Sequence, residues 1–146
     1  MFQSGLQIER GYVQGPEPYP GSLLKDDWDW HRLIEQCTTG TEFDRELQRL
    51  VKREGFVVEV GDWEVNTVFT KKNFTSSRQI RDAATKYPKR DKWVGFQLYY
   101  PMPESEARAA SGYELVKAMC GIFAEVVPAM NYCMQVALVA ESGAGK

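Results

Sequence analysis

Strand-like and helix-like segments in mixed order predict an α+β chain, a two-layer sandwich whose mostly antiparallel sheet carries its helices on one face. Three observations support this. Apolar–polar alternation recurs in short runs, as in half-buried strands. Between these runs lie segments with apolar residues three and four apart, as in amphipathic helices. The pair Gly61-Asp62 separates two strand-like runs and marks a hairpin. With the basic stretch 71–92 taken as an inserted helical segment, the remaining order resembles a ferredoxin-like βαββαβ plan.

Residues 6–13 begin as an alternating strand, and the proline- and glycine-rich stretch 15–21 ends it as a loop. A helix follows over 26–37, capped by Ser22 or Asp26, with early acids that suit its positive N-terminus. In this helix Trp30 is expected to anchor to the core. A second helix starts at Thr41, with Asp44 three residues on as its capping partner, and buries Phe43, Leu47, Leu50 and Val51 before Gly55 stops it. Residues 56–60 and 63–69 form the hairpin. A short helix over 78–86, capped from residues 75–77, turns Ile80, Ala83 and Ala84 inward. Residues 93–100 are a strand bounded by prolines. A longer helix is expected over 104–127, with Leu115, Met119, Ile122, Phe123 and Val126 on its core side and Pro128 as its stop. The apolar run 132–140 reads as a final strand. Residues 1–141 are read as one domain and 142–146 as a flexible tail.

The tail fits a relaxed phosphate-loop pattern, a small residue, four further residues and then Gly-Lys. It lacks the Ser or Thr that would hold Mg²⁺ and the helix whose amides would face the phosphates, so it is read as a frayed terminus.

Hydrophobic content of 43%, with 12% aromatic, is ample for one packed core and excludes a disordered chain. No apolar run approaches the ~20 residues that cross a bilayer, and the first ten residues lack a secretion signal, so no membrane contact and a cytoplasmic location are expected. Cys37, Cys120 and Cys133 are odd in number and form no Cys-x-x-Cys pair. Cys120 and Cys133, in apolar surroundings, read as buried thiols. The single histidine, His31, excludes sites built on two imidazoles. No nucleophile elbow, dinucleotide loop or zinc spacing is present, and no cofactor or metal is expected.

Charge is segregated. Residues 18–66 hold 11 acids and 6 bases, a balance of −5, whereas residues 71–92 hold 8 bases and 2 acids, a balance of +6. A dipolar surface of this kind steers charged partners. The reading that follows is a small macromolecule-binding protein that masks or inhibits a partner protein stoichiometrically, as immunity proteins and inhibitors do. Its contact residues would be Asp26, Asp27, Trp28 and Asp29 on the acidic side, a Trp inside a charged rim. On the basic side they would be Lys71, Lys72, Arg78, Arg81, Lys89 and Arg90.

Two alternatives use other chemistry. Bases interleaved with Phe74, Tyr87 and Trp93 would suit a nucleic-acid-binding module in which phosphates meet cations and bases stack on rings, although the pI of about 5.5 argues against it. An enzyme would need acids near Asp27 and His31, which are i, i+4 neighbours on a helix, or Asp62 and Glu64 on the hairpin. Neither pair completes a catalytic set, so the sequence leans against an enzyme.

Overall fold

Eight residues of extended chain, β1 (Phe2–Glu9), run antiparallel to β4 (Gly95–Met102), which pairs antiparallel with β2 (Val57–Gly61). β2 in turn pairs with β3 (Asn66–Phe69) across a tight hairpin, giving the order β1-β4-β2-β3. This is a computed structural model, and it describes residues 2–10, 28–62, 64–87 and 94–134. The helices are α1 (Trp28–Gln36), α2 (Glu42–Gln48), α3 (Arg78–Ala84), α4 (Glu104–Ala109) and α5 (Gly112–Asn131). The antiparallel sheet and single helical layer are those of an α+β sandwich. The order is not that of a ferredoxin-like plan, which sets the first and third strands side by side and parallel. Here the first and third described strands are the two outer strands of the order, and every described pair is antiparallel.

Register explains the two faces. Leu6, Leu98, Val58 and Phe69 lie in one row across the sheet, and Ile8, Phe96, Val60 and Thr67 in another. Side chains two apart share a face, so these rows line the same side. They meet Trp30, Leu33 and Cys37 of the α1 region, Phe43 and Leu47 of α2, Ile80 and Ala83 of α3, and Val126 and Ala129 of α5 in one buried cluster. Between the apolar rows, Gln7, Gln97, Glu59 and Val68 form a row on the other face. There the Tyr99 phenol is raised above its ordinary value by burial and by the nearby Glu59 carboxylate, to which it is hydrogen-bonded. Gly5, opposite Tyr99, sits where a β-carbon would overlap the Leu98 carbonyl oxygen, so no larger residue fits there without moving the strand.

Helix α2 begins as its sequence suggests. Thr41 Oγ1 accepts from the Asp44 amide at 3.0 Å, and Phe43, Leu47, Leu50 and Val51 are fully buried. The helix widens into a π-helical turn, Arg49–Arg53, before Gly55 ends it at φ 81°, a left-handed value that glycine adopts without strain. The cap of α3 comes from within residues 75–77, as expected, but from the middle one. Ser77, the residue before the helix, makes no side-chain cap. Instead Ser76 Oγ accepts from the Arg78 amide at 3.1 Å, and the Gln79 carboxamide oxygen accepts from the Thr75 amide at 2.8 Å.

The long C-terminal helix is interrupted. Ala110 leaves helical geometry, and Ser111 recaps the chain, its hydroxyl accepting from the Glu114 amide at 3.1 Å. At its other end α5 continues through Pro128 to Asn131, because a proline near the terminus forfeits a single hydrogen bond while Ala129 stays fully buried. Tyr132 and Cys133 then form a turn, not the start of a strand, and residues 135–146, with the phosphate-loop-like tail, lie outside the described residues. Two expectations about α5 side chains are corrected. Phe123 is 40% exposed, away from the core, and Cys120 is an exposed thiol. Both occupy a side of the helix separate from the one that packs on the sheet.

Candidate binding surface

The turn after β3 and helix α3 carry the described part of the basic stretch. Lys71, Lys72, Arg78 and Arg81 are all exposed, and none forms an ion pair with another described residue. Arg78 and Arg81 are helical neighbours three apart. One bond ties the turn to the helix, and two more brace the turn itself. Gln79 Nε2 donates to the Asn73 carbonyl at 3.0 Å, Asn73 Nδ2 donates to the Val68 carbonyl at 3.0 Å, and the Thr70 amide donates to Asn73 Oδ1 at 2.7 Å. The four cations therefore stand on a fixed frame.

That frame is fastened to α2 through one carboxylate. Asp44 is 1% exposed, and its Oδ1 accepts from the Ser77 amide at 2.7 Å. Its Oδ2 accepts from the Gly40 amide at 3.1 Å and from Gln48 Nε2 at 3.0 Å. Burial alone would raise the Asp44 pKa. The hydrogen bonds from Ser77, Gly40 and Gln48 outweigh it and hold the carboxyl below the usual range. Thr39 and Ser76 add a hydroxyl pair at 2.8 Å across the same junction. At the far end, Tyr87 is held twice. Its carbonyl accepts from the Arg10 guanidinium, and its hydroxyl donates to the Val65 carbonyl at 2.7 Å.

These contacts bear on the aromatic residues of the basic stretch. Phe74 is 2% exposed and packs edge-on against Phe69 at 6.3 Å between centroids, so it is core and offers no face for a base. Tyr87 is half-buried and braces the hairpin. Lys89, Arg90 and Trp93 lie outside the described residues. On the acidic side, so do Asp26 and Asp27. Trp28 and Asp29 open α1, but their side chains are likewise outside the description. Trp30 is buried as expected, and His31 on the next position is exposed.

The hairpin acids serve the turn. Asp62 Oδ1 accepts from the Glu64 amide at 2.9 Å and the Val65 amide at 2.7 Å, closing the loop between β2 and β3, while Glu64 is exposed. Among the described residues no group of three His, Cys, Asp or Glu side chains is gathered to hold a metal ion, and no helix is long and apolar enough to cross a membrane. Two hollows lie among the described residues. One, of about 170 Å³, lies on the second sheet face beside Gln3, Gln7, Gln97 and Tyr99. The other, of about 360 Å³, opens between α5 and the sheet beside Phe56, Tyr100, Ala118 and Ile122. The second also has Glu54 and Glu125 on its rim, with Glu125 paired to Arg49 at 2.7 Å, and neither hollow is lined by His, Cys, Ser or Lys.

No protein-family model matches this chain, and no similar curated protein or solved structure was found.

One surface escaped the sequence reading. Tyr113 is 78% exposed and Val116 59% exposed, and with Cys120 and Phe123 they form a second apolar stripe along α5. The signal was present as two overlapping series of three- and four-residue spacings within one helix, of which only one can face the sheet.

Proposed function

We propose that this protein binds an acidic surface of another protein through the basic face formed by Lys71, Lys72, Arg78 and Arg81, and acts by stoichiometric masking in the cytosol, as an inhibitor or immunity protein does. The observation that supports this reading is the combination of exposed cations with buried or braced aromatics in one segment. Four exposed bases on a rigid frame suit carboxylates presented by a folded partner. Single-stranded nucleic acid would call for rings on which bases stack, and Phe74 is committed to the core. Charges that face water contribute mainly to the rate and specificity of association, so binding should be fast and sensitive to salt.

The test is a paired capture from the native host, using the wild-type chain and an Arg78→Glu/Arg81→Glu variant as baits at low salt. The reading requires a protein in about equal molar amount on the wild-type bait, released by raised salt and missing from the variant. Equal capture by both baits, or capture of nucleic acid by the wild type alone, would contradict it.

A further inference from the structure

Helix α5 carries more apolar surface than its own fold uses. Val126 and Ala129 are fully buried and Ile122 packs against the core, so one side of the helix is committed to the sheet. Tyr113, Val116, Cys120, Phe123 and Val127 follow one another at alternating intervals of three and four residues on another side. That alternation is the a/d seam of a coiled coil, which presents knobs to a facing helix. An aromatic side chain offers ~150–250 Å². With Tyr113 78%, Val116 59% and Phe123 40% exposed, the stripe amounts to roughly 300–400 Å² of apolar surface. Patches of about this size are the largest that monomers usually show and are often functional.

We propose that the stripe pairs with the same stripe of a second copy of this chain, the two α5 helices lying antiparallel about a two-fold axis at the level of residues 121 and 122. The seam is complementary to itself in that arrangement. Each Phe123 ring faces Cys120 of the second copy, with Ala124 beside it, so the large ring meets two small residues. Val116 faces Val127 of the second copy. A parallel pair would set Phe123 against Phe123 and leave the small residues facing one another. The seam itself carries no charge. Lys117 is the charged residue that borders it, and the antiparallel register brings Lys117 opposite Ala124 of the second copy, so like charges do not meet. Antiparallel helix dipoles add to the preference.

Area sets the strength. Stable pairs bury about 800 Å² per partner, and the apolar stripe supplies about half of that, with the rest left to its polar borders. The dimer is therefore weak, with a dissociation constant on the order of 10–100 µM.

Sedimentation equilibrium of the full chain from about 10 µM to about 1 mM should show the average mass rising from one chain toward two. Val116→Glu/Phe123→Glu should remain monomeric, and its circular dichroism and melting should match wild type because both side chains are exposed. Cys120 supplies a second, independent readout as an exposed thiol close to the axis, while Cys37 and Cys133 are buried. A short bis-maleimide should yield a covalent dimer, and Cys120→Ser should abolish it. The proposal is overturned by a monomeric mass across the whole range with Cys120 freely reactive. It is equally overturned by a Cys120 that resists thiol reagents in the monomer, which would mean that the stripe is covered within one chain, or by a seam variant that still dimerises.

Discussion

Replacing Asp44 removes the single acceptor group that ties α2 to the start of α3. In Asp44→Ala three donors lose their partner: the Ser77 amide at 2.7 Å, the Gln48 side-chain amide at 3.0 Å and the Gly40 amide at 3.1 Å. Gly40 is exposed and Gln48 half-buried, so water can replace the carboxylate for both at little cost. Ser77 is fully buried, and an unsatisfied buried donor costs about 1–3 kcal/mol. Loss of packing around a carboxylate 1% exposed adds about 1 kcal/mol, for a total of roughly 2–4 kcal/mol. With a urea dependence of about 2 kcal/mol per molar, the unfolding midpoint should fall by about 1–2 M, read by tryptophan fluorescence. Asp44→Asn keeps one oxygen for the Ser77 amide and turns its NH₂ group toward the Gly40 and Gln48 donors, so it should recover part of this.

The same group has a pH signature. Its folded pKa lies below the unfolded value of about 3.9, so its contribution is fully present above that value and is lost as pH falls through the lower folded one. The stability difference between wild type and Asp44→Asn should accordingly be constant from neutral pH to about 5 and shrink toward pH 2. A change below 0.5 kcal/mol for Asp44→Ala at pH 7, or a difference that stays flat into the acid range, would refute the reasoning.

Other substitutions test other joints. Gly5→Ala should cost more than about 2 kcal/mol in chemical unfolding, because the added carbon meets backbone, which cannot swing aside as a side chain can. Arg49→Ala breaks ion pairs to Glu46 at 2.9 Å and Glu125 at 2.7 Å, the second joining the π-helical turn to α5. With Arg49 27% exposed the cost should be about 1 kcal/mol, and it should fall in high salt. Thiol titration of the native chain should modify Cys120 rapidly and Cys37 only as the chain unfolds, since burial and the neighbouring Cys133 push the Cys37 thiol far above the ordinary range.

The sequence made local structure legible wherever punctuation and periodicity agreed. Thr41 with Asp44, the stripe Phe43–Leu47–Leu50–Val51 and the glycine at 55 specify α2 and its end within a few residues. Sheet order was less legible, because pairing β1 with β4 spans most of the chain and no local residue encodes it. The second role of Asp44 was hidden for the same reason. As a cap residue it is visible from Thr41, but its bond to Ser77 joins residues 33 apart in sequence. Phe74 and Tyr87 beside lysines looked like a stacking pattern until packing committed one ring to Phe69 and the other's hydroxyl to Val65. In α5, hydrophobic spacing identified the helix but not which of its two apolar stripes the sheet would take.

The claim that the basic face recognises an acidic protein is tested most directly by titrating the captured partner, and separately a fluorescent single-stranded oligonucleotide, against wild type and Arg78→Glu/Arg81→Glu over a series of salt concentrations. The account predicts partner affinity that weakens steadily with salt and falls at least tenfold in the variant, while the oligonucleotide shows no binding below about 100 µM at physiological salt. Partner affinity unchanged by the double substitution, or tight and salt-dependent binding of the oligonucleotide, would contradict it.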